Sequence, residues 1–128
     1  MSEGGDIRSE GDRIYHLTTR SVWDEAELTG TYSASTRGKT IDEVGFIHAS
    51  QSDQLAEVAN LLFLGTGQEL LVLMMSREAL IEAGLPVILE DGGNGQFYPH
   101  IYAPLPCALV DEVRPAAFGP DGEFIFQY

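Results

Sequence analysis

Leu70-Leu71-Val72-Leu73-Met74-Met75 is an unbroken apolar run, far too short to cross a bilayer and well suited to one strand buried on both faces. A chain built on such a strand needs apolar cover on each side of it. The segment just before it supplies one cover: Leu55, Val58, Ala59, Leu62 and Phe63 recur at i, i+3, i+4, i+7 and i+8, which predicts an amphipathic helix near 53 to 64, capped by Ser50 or Ser52 and stopped by Gly65. Ser76 to Ala83, closed by Gly84, predicts a short helix directly after the strand. With 128 residues, 44% of them hydrophobic, one domain can enclose a continuous core without staples.

Elsewhere the punctuation is local. Ile14 to Thr18 is β-prone, with Ile14, His16 and Thr18 on one face and Tyr15 and Leu17 on the other. Ser21-Val22-Trp23-Asp24 has the form of a helix start and Gly30 that of a stop, so a helix is expected near 21 to 29. Residues 31 to 40 lack periodicity and read as a loop or irregular edge strand. Gly45 to Ser50 returns to strand character, placing Phe46, His48 and Ser50 on one face and Ile47 and Ala49 on the other. Val87 to Glu90 leads into Asp91-Gly92-Gly93-Asn94-Gly95, a chain reversal. Three prolines between Tyr98 and Pro106 predict an extended connection or edge strand, followed by strands at Cys107 to Val113 and Glu123 to Phe126. The order β-α-β-α-β-α-β with β-rich sequence after it is that of an α+β domain over 13–128, preceded by a polar lead-in over 1–12 that is expected to be disordered.

The formal charge of −13 opposes long-range attraction to nucleic acid or anionic membranes, both of which depend on Lys and Arg neutralising phosphate. Arg8, Arg13, Arg20, Arg37 and Lys39 nevertheless cluster before position 40, where a small anion could be held locally. Cys107 is the sole cysteine, which excludes an internal disulfide and fits a reducing, cytoplasmic setting with the thiol as core packing.

The residues able to carry chemistry are few. His16 lies in His-Leu-Thr, His48 in His-Ala-Ser, and His100 between Pro99 and Ile101. Paired H-x-[ST] units suggest a two-histidine phosphoesterase, although one helix and one loop are a short separation for that arrangement. The plain alternative is that each ring satisfies itself at the edge of the core. No H-x-H, H-x-x-x-H or cysteine pair suggests a metal centre. Glu90 stands at a strand end beside the glycine loop, where a carboxylate can orient a hydroxyl or act as a base.

Ile14-Tyr15-His16-Leu17, Gly45 to Ser50 with Gln54, and Phe97 to Leu105, with Trp23, Gly30 and Tyr32 between the first two, resemble a bacterial family catalogued as domain of unknown function 952. That family is in turn distantly similar to the ADP-ribosyltransferase fold. The resemblance implies a compact split sheet with two or three short helices and a pocket for NAD, ADP-ribose or a related nucleotide, with ADP-ribosyl transfer as its chemistry. His16 would grip a ribose, Gly45, Phe46, His48 and Ser50 would line the nicotinamide side, and Glu90 or His100 would fill the later-strand catalytic position. Tyr15, Thr18, Arg37, Gln54 and Tyr102 join Phe46 and Ser50 as implied ligand contacts. NAD is the one cofactor implied; a non-catalytic ligand-binding or interaction module is the competing class.

Overall fold

A computed structural model describes residues 12–35 and 39–127; the expected disorder of the first twelve residues falls almost wholly outside that range, as does Arg37. Leu70–Ser76 is a strand, β4, and all seven of its residues are buried. Beside it run β1 (Arg13–Thr19) and β8 (Glu112–Phe118), both antiparallel, with β9 (Phe124–Ile125) extending the sheet in the order β1-β4-β8-β9. Alternation along β4 feeds two cores. Leu71, Leu73 and Met75 pack with Ile14, Trp23, Ile47, Leu80, Ile101 and Leu105, whereas Leu70, Val72 and Met74 pack with Tyr15, Leu17, Leu55, Val58 and Phe63. Each such side chain contributes about 1.5–3 kcal/mol on full burial, which makes β4 the backbone of the domain.

The second core is roofed by α3 (Leu55–Phe63), preceded by a 3₁₀ turn at Ser52–Gln54, so the expected helix divides in two. Neither Ser50 nor Ser52 caps it; the Gln54 carboxamide accepts from the Gln51 backbone N–H at 2.9 Å. On the other face lie α1 (Arg20–Thr29), capped by Thr19 rather than Ser21 and ended by Gly30 in the left-handed region, and the two-stranded pair of β2 (Thr31–Tyr32) with β7 (Leu105–Pro106). A one-turn helix, α2 (Ile41–Val44), stands just past the expected loop, held by a reciprocal Thr40–Glu43 capping box. α4 (Arg77–Glu82) begins on Ser76 as its cap.

A smaller sheet of order β3-β6-β5 comprises β3 (Ile47–His48), β6 (Phe97–Ile101) and β5 (Val87–Asp91). β6 is central here, not an edge. Pro99 is tolerated because it lies one residue past the last β3–β6 pair, His48 with His100: Ala49 still donates to the Pro99 carbonyl (2.9 Å), and only the reciprocal bond is missing. The expected strand at Cys107 to Val113 is instead a 3₁₀ turn, Cys107–Leu109, ahead of β8. A two-way backbone pair between Tyr15 and Ser50 (2.9 and 2.7 Å) joins the small sheet to β1. The result is a mixed α/β fold of several antiparallel sheets and short helices, and among the described residues no helix is long and apolar enough to cross a membrane.

Candidate functional site

Register and alternation together decide which side chains meet. His48 pairs with His100, Ile88 with His100 and Glu90 with Tyr98, and residues two apart on a strand share a face. One face of the small sheet therefore collects Phe46, His48, Ser50, Glu90, Tyr98, His100 and Tyr102. Gly45, at φ 102° after α2, supplies the left-handed turn that delivers Phe46 to this face. Against it stands α3, and between them opens a cleft of about 340 Å³ lined by Phe46, His48, Tyr98 and His100, by Val58, Leu61 and Leu62 of the helix, and by Asp91, Gly92 and Asn94 of the glycine loop.

The cleft wall is tightly organised. Phe46 stacks on His100 with ring centroids 3.9 Å apart and planes 11° apart, and Tyr102 lies 5.4 Å from Phe46. His48 sits 5.0 Å from Tyr98 and 5.3 Å from His100. Glu90 Oε1 accepts from His100 Nδ1 at 2.7 Å and from the Tyr102 hydroxyl at 2.5 Å. Those two bonds hold the Glu90 carboxyl below the usual carboxylate range, while the same carboxylate pushes the Tyr102 phenol up. Burial, reinforced by the neighbouring His100, lowers the His48 pKa to about 4, so its ring is neutral at pH 7. Tyr98 is fixed from the loop side by Asn94, whose amide donates to its hydroxyl at 2.8 Å. Among the described residues no Lys or Arg lines this cleft.

His16 plays a different part. It is 2% exposed, and both ring nitrogens are engaged: Nδ1 lies 2.6 Å from the His48 carbonyl and Nε2 lies 2.7 Å from the Tyr32 hydroxyl. A carbonyl can only accept, so Nδ1 carries the proton. Burial lowers the ring pKa to about 4, leaving Nε2 a lone pair at neutral pH, which accepts from Tyr32. The 2.8 Å contact between the Tyr32 and Thr18 hydroxyls then runs on the Thr18 proton. His16 thus ties β1 to β3 and β2, with no nitrogen left for a phosphate. It shares with His48 a void of about 10 Å³, room for a single water.

The other predicted contacts separate accordingly. Tyr15 is buried on the opposite side of β1, edge-on to Phe126 at 6.4 Å. Ser50 is buried beside the small void, and Thr18 belongs to a separate hydroxyl-rich cleft with Tyr32, Lys39 and Thr40. Gln54 is a brace, donating to the Phe97 carbonyl at 2.9 Å and to Gln96 at 3.2 Å. Cys107 reaches the Ala26 carbonyl at 3.6 Å, and burial raises its thiol pKa, as befits a packing residue. The sequence pattern alone does not single out Tyr98, Asn94 or the α3 residues Val58, Leu61 and Leu62 as site residues, although Tyr98 stands two positions before His100 on one strand and so shares its face.

No curated protein matches the chain. The crystal structure of CC0527 from Caulobacter crescentus is 28% identical with a TM-score of 0.75, over 88% of this chain and 93% of that one. The solution structure of CC0527 gives 30% identity and a TM-score of 0.69, over 88% and 90%. Residues 17–113 match the model of a family described as protein of unknown function DUF952. That match runs from within β1 into β8 and takes in the whole cleft, and on it this chain belongs to the DUF952 family.

Proposed function

We propose that the cleft between α3 and the small sheet binds NAD, ADP-ribose or a related nucleotide, in a fold of the ADP-ribosyltransferase-like type. The observation that carries this is the Glu90–His100–Phe46 assembly: a carboxylate that accepts from two donors, one of them the His100 that stacks on Phe46 in the wall of a cleft large enough for a nucleoside. Glu90 and His100, rival candidates for the later-strand catalytic position, act as one hydrogen-bonded unit. Phe46 and Tyr98 supply aromatic surface, His48 a polar group on the inner side, and His16 and the buried Ser50 act from behind the cleft, His16 through its hold on the His48 carbonyl. Because no cation among the described residues lines the cleft, it takes the nicotinamide or base end, and the phosphates lie toward solvent. A half-buried Cys107 without a disulfide accords with work in the reducing cytoplasm.

Ligand-observed NMR with nicotinamide, NAD and ADP-ribose tests the proposal. Saturation transfer from protein to the nicotinamide or adenine protons is expected, and Phe46→Ala should abolish it while the fold persists. Absence of transfer at millimolar ligand would remove the proposal.

A further inference from the structure

β5 ends the small sheet: it pairs with β6 on one side and, among the described residues, with no strand on the other. Tyr102 N–H donates to the Pro86 carbonyl (2.9 Å) and Gly92 N–H to the Gln96 carbonyl (2.8 Å), so the hydrogen-bonded pairs between them are Ile88 with His100 and Glu90 with Tyr98. The N–H and C=O groups of Val87, Leu89 and Asp91 therefore point away from β6, and none meets a protein partner among the described residues. Open edges in folded proteins are usually blunted. β3 and β9 are only two residues long, and β8 carries Pro115 and the Arg114–Glu112 ion pair. β5 has neither a proline nor a basic residue, and its acids stand only at its end. Val87-Ile88-Leu89 is apolar toward both faces of the sheet, with Ile88 46% and Leu89 43% exposed.

We infer that a second copy of this chain adds its own β5 to this edge, antiparallel, about a two-fold axis at Ile88. Val87 then stands beside Leu89 of the second copy, and Leu89 beside its Val87, each pair exchanging both N–H···O bonds, while Ile88 meets its counterpart. Charge selects this register. Parallel pairing sets Glu90 beside Glu90 and Asp91 beside Asp91, like charges directly opposite. An axis at Leu89 sets Glu90 against Ile88 and brings the two Glu90 positions to roughly 7 Å along the strand, whereas the Ile88 axis sets Glu90 against Pro86 and parts them by roughly 13 Å, beyond the Debye length at physiological salt. The Leu85 N–H, already donated to the Leu80 carbonyl at 3.0 Å, ends the ladder. The occupant is a second copy because the strand complements itself, apolar segment on apolar segment with the acids held apart. Ile88 of the second copy becomes the diagonal neighbour of Glu90, about 7–8 Å away, beside the carboxylate that binds His100. A few residues a side, against the roughly 20–30 of a standard interface, and a formal charge of −13 on each copy make the association weak, with Kd on the order of 0.1–1 mM. The inference stands whether or not the cleft takes a nucleotide.

Sedimentation velocity of the full chain from about 10 µM to about 1 mM, in low and high sodium chloride, tests this. The average mass should rise toward that of a dimer with concentration, and more steeply at high salt, which screens the repulsion between copies. In a mixture of isotope-labelled and unlabelled chain, filtered NOEs should join Val87 to Leu89 across the axis. Ile88→Glu sets like charges directly opposite at an exposed position and should weaken association by about tenfold or more with the fold intact. Leu89→Pro removes an N–H that β6 does not use and should act in the same direction. The filtered NOEs on the unaltered chain decide the matter even where a variant fails to fold. A chain that stays monomeric at ~1 mM in high salt, a dimer without the Val87–Leu89 NOEs, or a dimer that both folded variants leave intact overturns the inference.

Discussion

Replacing Tyr32 by Phe removes one oxygen from the middle of the His16–Tyr32–Thr18 chain and nothing else. The Phe ring keeps its place 6.1 Å from Trp23, so no cavity larger than a hydroxyl forms. Two polar atoms lose their partner: His16 Nε2, in a residue 2% exposed, and Thr18 Oγ1, in one 4% exposed. An orphaned buried group costs about 1–3 kcal/mol; the Thr18 hydroxyl can rotate toward another acceptor, whereas the ring nitrogen, pinned by its Nδ1 bond to the His48 carbonyl, cannot. The sum is about 2–4 kcal/mol, a large share of the ~5–15 kcal/mol available to a domain of this size. At roughly 4 °C per kcal/mol, Tm should fall by about 8–16 °C. Urea unfolding followed by fluorescence of the single tryptophan, Trp23, measures it directly, since that ring is buried against the substituted one. A loss below ~0.5 kcal/mol with an unchanged slope would mean that water replaces the hydroxyl, and the tautomer argument for His16 would fail.

Three further outcomes are open to measurement. His16 ionises near 6.5 when unfolded and near 4 when folded, so acid favours the unfolded chain: stability is full above pH 6.5 and falls as pH drops toward 4, by ~2 kcal/mol at pH 5 from this residue alone, and urea midpoints equal at pH 7 and pH 5 would contradict it. Gly92→Ala places a methyl 2.4 Å and 2.6 Å from two ring carbons of Tyr98, which must give way; a cost of about 1–3 kcal/mol and displaced Tyr98 ring resonances are expected, and an unperturbed ring would refute the contact. Gln54→Ala removes the clasp on Phe97 and Gln96, so amide exchange across residues 91–97 should accelerate about tenfold or more, with little change in β4, and uniform exchange across both would argue against a local brace.

What the sequence made legible and what it withheld divide along a physical line. The run at Leu70 to Met75, the periodicity of Leu55 to Phe63 and the alternation at His48 are local signals, and each reappears in place. Gly30 ends its helix as expected because a left-handed residue is needed there and glycine adopts it without cost. Register is non-local. Glu90 and His100 are ten residues apart, and whether they meet depends on how the glycine-rich hairpin sets β5 against β6; a slip by one residue would turn the Glu90 carboxylate to the opposite face. The same holds for β6, where Pro99 and the prolines that follow the strand signal an edge until β3 is seen to stop where Pro99 stands. The α2 turn was open to detection: Thr40 and Glu43 have capping-box spacing, obscured by the polar loop before them.

The three histidines are separated in role by their nitrogens. Among the described residues His16 has both engaged with the protein, His100 has one, and the His48 ring bonds to no other side chain, reaching only its own main chain. A ring with both nitrogens satisfied is a strut; a ring with one nitrogen uncommitted, as in His48 and His100, keeps a polar atom free in the cleft wall. The strut and the cleft are nevertheless mechanically joined, because the acceptor of the His16 Nδ1–H is the backbone carbonyl of His48 itself. Whatever loosens His16 must loosen the strand that carries His48 into the cleft. Tyr32→Phe should therefore broaden or shift the His48 ring resonances although no atom of Tyr32 lines that cleft, while Gly92→Ala should disturb Tyr98 and leave His16 unmoved. If both substitutions left His48 untouched, the cleft would be independent of the core, and His16 would have no part in shaping it.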